Sequence, residues 1–284
     1  MNTKTKRVLR LLCLALSLVF VLGCFSGCGD KKTEEPEDED PIEDEQPDDE
    51  PTPPKPINLT IGSYNIANGR DVDHDFKFIA RDILEKGLDI VGLQEVDINA
   101  NRSKNIDTMK ELSRLTGYQY YTFFKTINLS TNGEYGVAVL SKYPIVEEQR
   151  YELPSEGVED RVLGRTKIDV NGTMVNFFVT HVSYENKESR TKQLIFINDV
   201  IKQYDNFLLT GDFNTSDFTE YALFSNAGTL NTAENHLPTY EKRDSIDNFV
   251  YSLSTWTFEG PNVYANDHSD HSMLYSKGTF QPKA

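Results

Sequence analysis

The chain has 284 residues, with 45 acidic against 29 basic side chains and a net charge of −16. That sign excludes a basic protein that coats nucleic acid through its phosphates. The three cysteines, Cys13, Cys24 and Cys28, all fall within the first 28 residues. Disulfides, thiolate metal sites and cysteine nucleophiles are therefore excluded for the rest of the chain.

The first element in chain order is an address. Residues 1–10 carry Lys4, Lys6, Arg7 and Arg10 and no acid, and Leu11 to Leu22 is apolar apart from Ser17. That run is short for a bilayer span but matches the core of a signal peptide. Val-Leu-Gly precedes Cys24 and Phe-Ser-Gly precedes Cys28. A small residue before Cys at this place resembles a bacterial lipobox, whose Cys is acylated and becomes the new N-terminus. Cys28 is the favoured anchor, because Gly-Cys-Gly-Asp leads straight into polar sequence; Cys24 is the alternative. Residues 1–28 thus read as a lipoprotein-type signal, and the protein as an extracytoplasmic lipoprotein of a bacterial cell membrane.

Residues 29–56 read as a disordered tether. This segment has a net charge of −10, one Ile and no aromatic residue. It cannot bury enough apolar surface to offset the entropy of ordering, and its like charges and prolines favour an extended spacer.

Residues 57–284 read as one domain, again with a net charge of −10. Apolar runs predict strands at Leu59–Tyr64, Asp89–Gln94, Tyr135–Leu140, Met174–Thr180, Phe207–Thr210 and Ile246–Tyr251. Helical spacing relates Phe76, Ile79, Ala80, Ile83 and Leu84, with Gly87 as a stop, then Ile106, Met109, Leu112 and Leu115, ending at Gly117. Leu194, Ile197, Ile201 and Tyr204 mark a third helix. Strands with interleaved helices predict a mixed α/β domain.

Polar residues cluster where these runs end. Asn65 follows LTIGSY, Glu95 follows DIVGLQ, His181 follows VNFFVT, and Asp212 and Asn214 follow or end FLLTGDFN. Asp270 and His271 precede SMLY. Ligand sites in layered α/β proteins are built from such strand ends. Singly, each residue reads equally as a turn former, a cap or a hydrogen-bonded histidine. Their joint order decides the matter.

That order resembles the endonuclease/exonuclease/phosphatase superfamily, the metal-dependent phosphoesterases related to pancreatic-type deoxyribonuclease. The matching segments are SYNIANG (63–69), DIVGLQEVD (89–97), EYGVAVLSKYPI (134–145), FVTHVS (178–183), LLTGDFNTS (208–216), SIDNFVYS (245–252) and SDHSMLYS (269–276). The resemblance implies a four-layer α/β sandwich, with two mixed β-sheets face to face and helices outside. It implies a divalent-metal-dependent phosphoester hydrolase, with Mg2+ or Mn2+ held by Glu95, supported by Asn65, with Asp270 as a further ligand; oxygen donors suit those ions. His271 becomes a general base or phosphate stabiliser oriented by Asp247. Asp212 and Asn214 polarise the attacking water and a phosphate oxygen, and His181 is a general acid or phosphate-oxygen donor. Arg161 is the favoured phosphate contact over Arg165, both in EDRVLGR; a guanidinium matches a phosphate bidentately.

Two positions depart from the family pattern: Ala67, where some relatives place an Asp, and Asn248, where an aromatic is common. Asp267 and His268 read as loop residues. Tyr184, Glu185 and Arg190 read either as substrate contacts or as a solvated helix start. The expected partner is a phosphoester, whether DNA, RNA, phospholipid or small phosphate ester, and the expected state is a monomer. The alternative is a surface binding module on the same fold without turnover, which a missing site His, Asp or Asn would signal; none is missing.

Overall fold

The computed structural model describes residues 55–283. The signal segment, both candidate acylation sites and nearly all of the tether lie outside the described residues.

The chain begins with β1 (Ile57–Asn65), α1 (Lys77–Glu85), β2 (Ile90–Ile98) and α2 (Thr108–Thr116). Four strands follow: β3 (Tyr120–Asn128), β4 (Glu134–Ser141), β5 (Ile145–Glu152) and β6 (Val162–Val170). Then come β7 (Thr173–His181), α3 (Lys187–Ile201), β8 (Phe207–Asp212), β9 (Ala227–Thr229) and β10 (Asp247–Ser252). The last are β11 (Trp256–Phe258), β12 (Asn262–Tyr264) and β13 (Met273–Phe280).

These strands form two mixed sheets. The first has seven strands in the order β11-β13-β1-β2-β4-β3, with β12 also beside β13. The second has six in the order β5-β6-β7-β8-β10-β9. Each sheet holds one parallel pair, β1 with β2 and β7 with β8, and every other pairing is antiparallel. A helix makes each parallel crossover, α1 in the first sheet and α3 in the second.

Period-two alternation sorts the side chains into layers. Leu59, Ile61, Ile90, Val137 and Val139 meet Val175, Phe177, Val179, Leu208 and Phe249 between the sheets. The opposite faces of β1, β2 and β4 bury Tyr64, Val91, Leu93, Ala138 and Leu140 under Ile79 and Ile83 of α1 and Met109 and Leu112 of α2. Phe178, Leu209 and Val250 pack under Leu194, Ile197 and Ile201 of α3. The four-layer sandwich expected from the resemblance is therefore the observed fold. Gly92 lets the sheets approach closely: a Cβ there would overlap Thr210 Oγ1.

The helices begin and end where local chemistry dictates. Asp107 caps α2 by accepting from Lys110 N at 3.1 Å, and Gly117 closes it at φ 76°. Asn186 caps α3 by accepting from Ser189 N at 2.8 Å, satisfying a donor that a helix start leaves free. Tyr204 lies past the end of α3 and packs on Phe178 from a turn.

Four long strands, β3, β5, β6 and β13, escaped the apolar-run reading. β5 is an exposed edge strand carrying Glu147, Glu148 and Arg150, and charge is how edges are kept from pairing. β6 is buried yet contains Arg165 and Lys167. β3 alternates buried and open residues, so no continuous run appears.

Candidate active site

The sheet register brings the expected residues together. At the carboxyl ends of the second sheet's parallel pair His181 lies beside Asp212, and β10 places Asp247 opposite Asp212 on its other side. In the first sheet β1 ends at Asn65 next to Gln94, with Glu95 following. The strand ends meet around one cleft of about 410 Å3, walled by Glu95, Arg161, His181, Asp212, Asn214, Asp270 and His271. Asn65 and Asp247 are buried behind these residues.

Glu95 reaches the cleft through a distortion. The β2–β4 register shifts between Leu93 and Val96, and Glu95 sits inside that bulge at φ 54°. A bulge re-aims a side chain, and a left-handed backbone on a non-glycine residue is strain held by its surroundings. Asn65 Nδ2 donates to Glu95 Oε1 at 3.2 Å and to Asp212 Oδ2 at 3.0 Å, so one amide joins the two sheets.

Asp212 makes the turn its motif allowed and also lines the cleft. Its Oδ1 accepts from Asn214 N at 2.9 Å, a two-residue side-chain turn. Its Oδ2 accepts from Asn65 and lies 3.4 Å from His181 Nε2 and 3.6 Å from His271 Nε2. Asn214, at φ 49°, donates its Nδ2 to Val182 O at 3.0 Å. Burial, with the Asp247 charge beside it, pushes the Asp212 carboxyl up to about 7.

His271 Nδ1 donates to Asp247 Oδ2 at 2.8 Å. Burial pulls the imidazolium down, but Asp247, Asp212 and Asp270 outweigh it and raise His271 to about 10. The Tyr240 ring covers the imidazole at 4.9 Å between centroids. His181 goes the other way: burial, then Arg161 and His271, hold it well below the usual histidine range. The site therefore pairs a cationic imidazole with a neutral one.

Arg161 is the arginine in the cleft. Its guanidinium is 3 % exposed, with Nη2 3.3 Å from Glu159 Oε1, and Nε and Nη1 have no partner. Buried guanidinium donors without acceptors are costly and form a ready anion site. Arg165 is engaged elsewhere, donating to Asn176 Oδ1 at 2.9 and 2.7 Å and to Glu147 Oε1 at 2.7 Å. Arg190 is likewise structural: it holds Glu220 bidentately at 2.8 and 2.9 Å, and Glu220 accepts from Thr215 Oγ1 behind Asn214.

Asp270 stands at the rim, with Oδ2 2.6 Å from Arg70 Nη2. His268 is a loop residue, donating from Nδ1 to buried Asp82 at 2.9 Å, and Asp267 pairs with Lys242. Asn248 is buried and ties β10 to Asn231. Tyr184 does line the cleft and is 67 % exposed. Tyr135 and Tyr240 are further wall residues that the sequence left unmarked. Tyr135 sat inside a quoted strand motif, where nothing set it apart from its neighbours; Tyr240 lies in an aperiodic loop.

The residues suit a divalent metal. Glu95 presents a half-buried carboxylate with one hydrogen-bond donor on it. Asp212, Asp247 and His271 gather within 4.8 Å of one another and are buried; a cationic His271 has no free lone pair, which leaves the two carboxylates as the oxygen donors there. Asp247 Oδ1 has no partner. A donor set of carboxylates is hard, as Mg2+ or Mn2+ requires.

Comparison with known proteins places this geometry. A 239-residue stretch is 27 % identical to a sphingomyelinase C of Bacillus cereus, covering 70 % of each chain. Among solved structures, an endonuclease/exonuclease/phosphatase from Beutenbergia cavernae superposes with a TM-score of 0.65 at 22 % identity, covering 80 % of this chain and 72 % of that one. A mannosyl-6-phosphatase of Bacteroides thetaiotaomicron superposes with a TM-score of 0.59 at 20 % identity, covering 78 % and 99 %. The model of the Endonuclease/Exonuclease/phosphatase family matches residues 62–271, from β1 through His271, and the chain belongs to that family.

Proposed function

We propose that the protein hydrolyses phosphodiesters that carry a single phosphate, using a divalent metal, on the outer side of a bacterial cell membrane. The observation that carries the reading is Arg161: a buried guanidinium with two unpartnered nitrogens, lining one cleft with Asp212 and two histidines.

Glu95, with Asn65 and Asp270, would hold the Mg2+ or Mn2+. When bound, such an ion neutralises phosphate charge and stabilises the leaving oxygen. The remaining work belongs to the chain. Arg161 binds a phosphate oxygen. His271, held cationic by Asp247, donates from Nε2 to a second oxygen and stabilises charge as it develops. Asp212, poised near neutrality, takes the proton of the attacking water; a base works best with a pKa near the operating pH. Asn214 orients that water, and neutral His181 hydrogen-bonds the phosphate beside Arg161.

The rim argues for one phosphate rather than many. Glu159 and Asp270 line the cleft and each engages an arginine, Arg161 and Arg70, and Arg161, among the described residues the one arginine or lysine on the cleft wall, serves one anion. A polyanion would meet these carboxylates without the row of cations that nucleic acid binding uses. The sphingomyelinase relative acts, by its name, on a lipid of this class.

The test is release of product from sphingomyelin, phosphatidylinositol, DNA, RNA and a bis-aryl phosphodiester. Magnesium or manganese is expected to restore a chelated sample, with single-phosphate diesters turned over faster than either nucleic acid. Full turnover in excess chelator would refute the metal role, and no turnover of any diester would refute the activity.

For location, the proposal is anchoring through acylated Cys28. Membrane fractionation is expected to find the wild type with the membrane and Cys28→Ser released. Release by Cys24→Ser instead moves the anchor, and a wholly soluble wild type ends the proposal.

A further inference from the structure

Arg161 and His181 face each other where the second sheet stops pairing. The last ladder pair of β6 and β7 is Leu163 with Thr180. Beyond it the two segments part to form the cleft, and no strand pairing sets their spacing.

Gln193 of α3 spans that gap. Its side chain is wholly buried. Oε1 accepts from Ser183 N at 2.8 Å, and Nε2 donates to Pro154 O and Ser183 Oγ, both at 2.9 Å. Ser183 lies two residues past His181. Pro154 adjoins Leu153, whose N donates to Arg161 O at 2.9 Å. One amide thus connects the backbone beside His181 to the backbone beside Arg161, with three good hydrogen bonds in a dry setting. α3 has good cause to carry it: its next turns pack Leu194, Ile197 and Ile201 on the sheet, so Gln193 rides on a rigid element. Groups held by such buried, fully bonded supports keep their geometry, and loss of a support typically costs a site about 10- to 100-fold in affinity or activity.

We propose that Gln193 is a positioning residue that sets the distance between the Arg161 guanidinium and the His181 strand end, and with it the anion affinity of the cleft. The inference rests on the cleft being a phosphate site. Gln193 touches no substrate; it acts through Pro154 and Ser183.

The experiment measures inorganic phosphate binding to the full-length chain in magnesium buffer, by titration calorimetry, so that turnover is not needed. The variants are Gln193→Leu, Gln193→Glu, Arg161→Met and each Gln193 change combined with Arg161→Met. Gln193→Glu keeps the acceptor for Ser183 N but sets an oxygen against Pro154 O. Arg161→Met is expected to weaken binding by about tenfold or more, as loss of charge-assisted donors does. Gln193→Leu and Gln193→Glu are expected to weaken it about tenfold alone, yet by less than about twofold once Arg161 is gone, because coupled residues are not additive. A folded Gln193 variant that binds as the wild type overturns the proposal, as does an equal loss in both backgrounds. If neither Gln193 variant is folded at 25 °C by circular dichroism, the residue is a core support and the proposal also fails. Arg161→Met binding as the wild type is a separate result: it removes the phosphate site itself.

Discussion

Asp212→Asn is expected to lower turnover roughly 10²–10⁴-fold, the scale of a positioned proton acceptor, while leaving the fold in place. The two oxygens of Asp212 have separate jobs, and the substitution divides them. Oδ1 closes the turn to Asn214 N, which an asparagine closes as well. Oδ2 faces Asn65, His181 and His271, and an amide there has no useful basicity. Stability carries its own signature. The folded pKa of Asp212 is raised from 3.8 to about 7, by burial first and by Asp247 second. The folded state then binds the proton more tightly than the unfolded chain does. Stability present below about pH 4 is lost as pH rises to about 7. The asparagine has no proton to lose, so its Tm minus the wild-type Tm should climb across that interval and level off above it. Melting curves in metal-free buffer at pH 4, 5.5, 7 and 8.5 check the trend. A variant that keeps its rate makes Asp212 a turn former only.

His271→Ala is expected to cost a similar 10²–10⁴-fold in kcat, with KM moving far less. The imidazole is held at both ends, by Asp247 at Nδ1 and by the Tyr240 ring across its face, so its removal empties a shaped position. Its raised pKa of about 10 keeps it cationic throughout the physiological range, and a cation donates rather than accepts. The alkaline limb of the rate profile should therefore lie well above neutrality in the wild type. Asp247→Asn keeps an acceptor for Nδ1 but removes the charge, and should carry that limb toward neutral pH. The accompanying stability loss is greatest below the unfolded histidine pKa of about 6.5 and disappears as pH rises through about 10. An alkaline limb that does not move in Asp247→Asn would make Asp247 a steric support.

Much of the domain was readable because burial and catalysis use the same strand ends. LTIGSYN, IVGLQE, FFVTH and FLLTGD are mostly apolar and each ends on a residue of the site. β5 and β6 were unreadable for opposite reasons. β5 is a charged edge with no buried face to betray it. β6 buries Arg165 by giving it Asn176, Glu147 and the Tyr204 ring, so a core strand looks polar. The choice between Arg161 and Arg165 was open for the same reason: both are buried, and what separates them is that one has partners and the other has unused donors. Glu95 was found, but its bulge was not, since no residue in VGLQEVD announces a left-handed glutamate. Gln193 lay in the helix run as an unremarked polar residue, because its partners, Ser183 and Pro154, lie 10 and 39 residues before it and outside the helix.

The pairing of β1 with β13 joins Ile57 to Phe280, about 220 residues apart. During synthesis or export, N-terminus first, β1 waits as an open edge until nearly the whole domain has appeared. The helix side of the first sheet can form meanwhile, since β1, α1, β2, α2, β3 and β4 are consecutive. Asn65 and Glu95, however, meet the Asp270–His271 loop only when β13 arrives beside β1. Assembly of the site is thus deferred to the end of chain delivery, which keeps it incomplete until then and leaves one unpaired strand edge for a chaperone to guard.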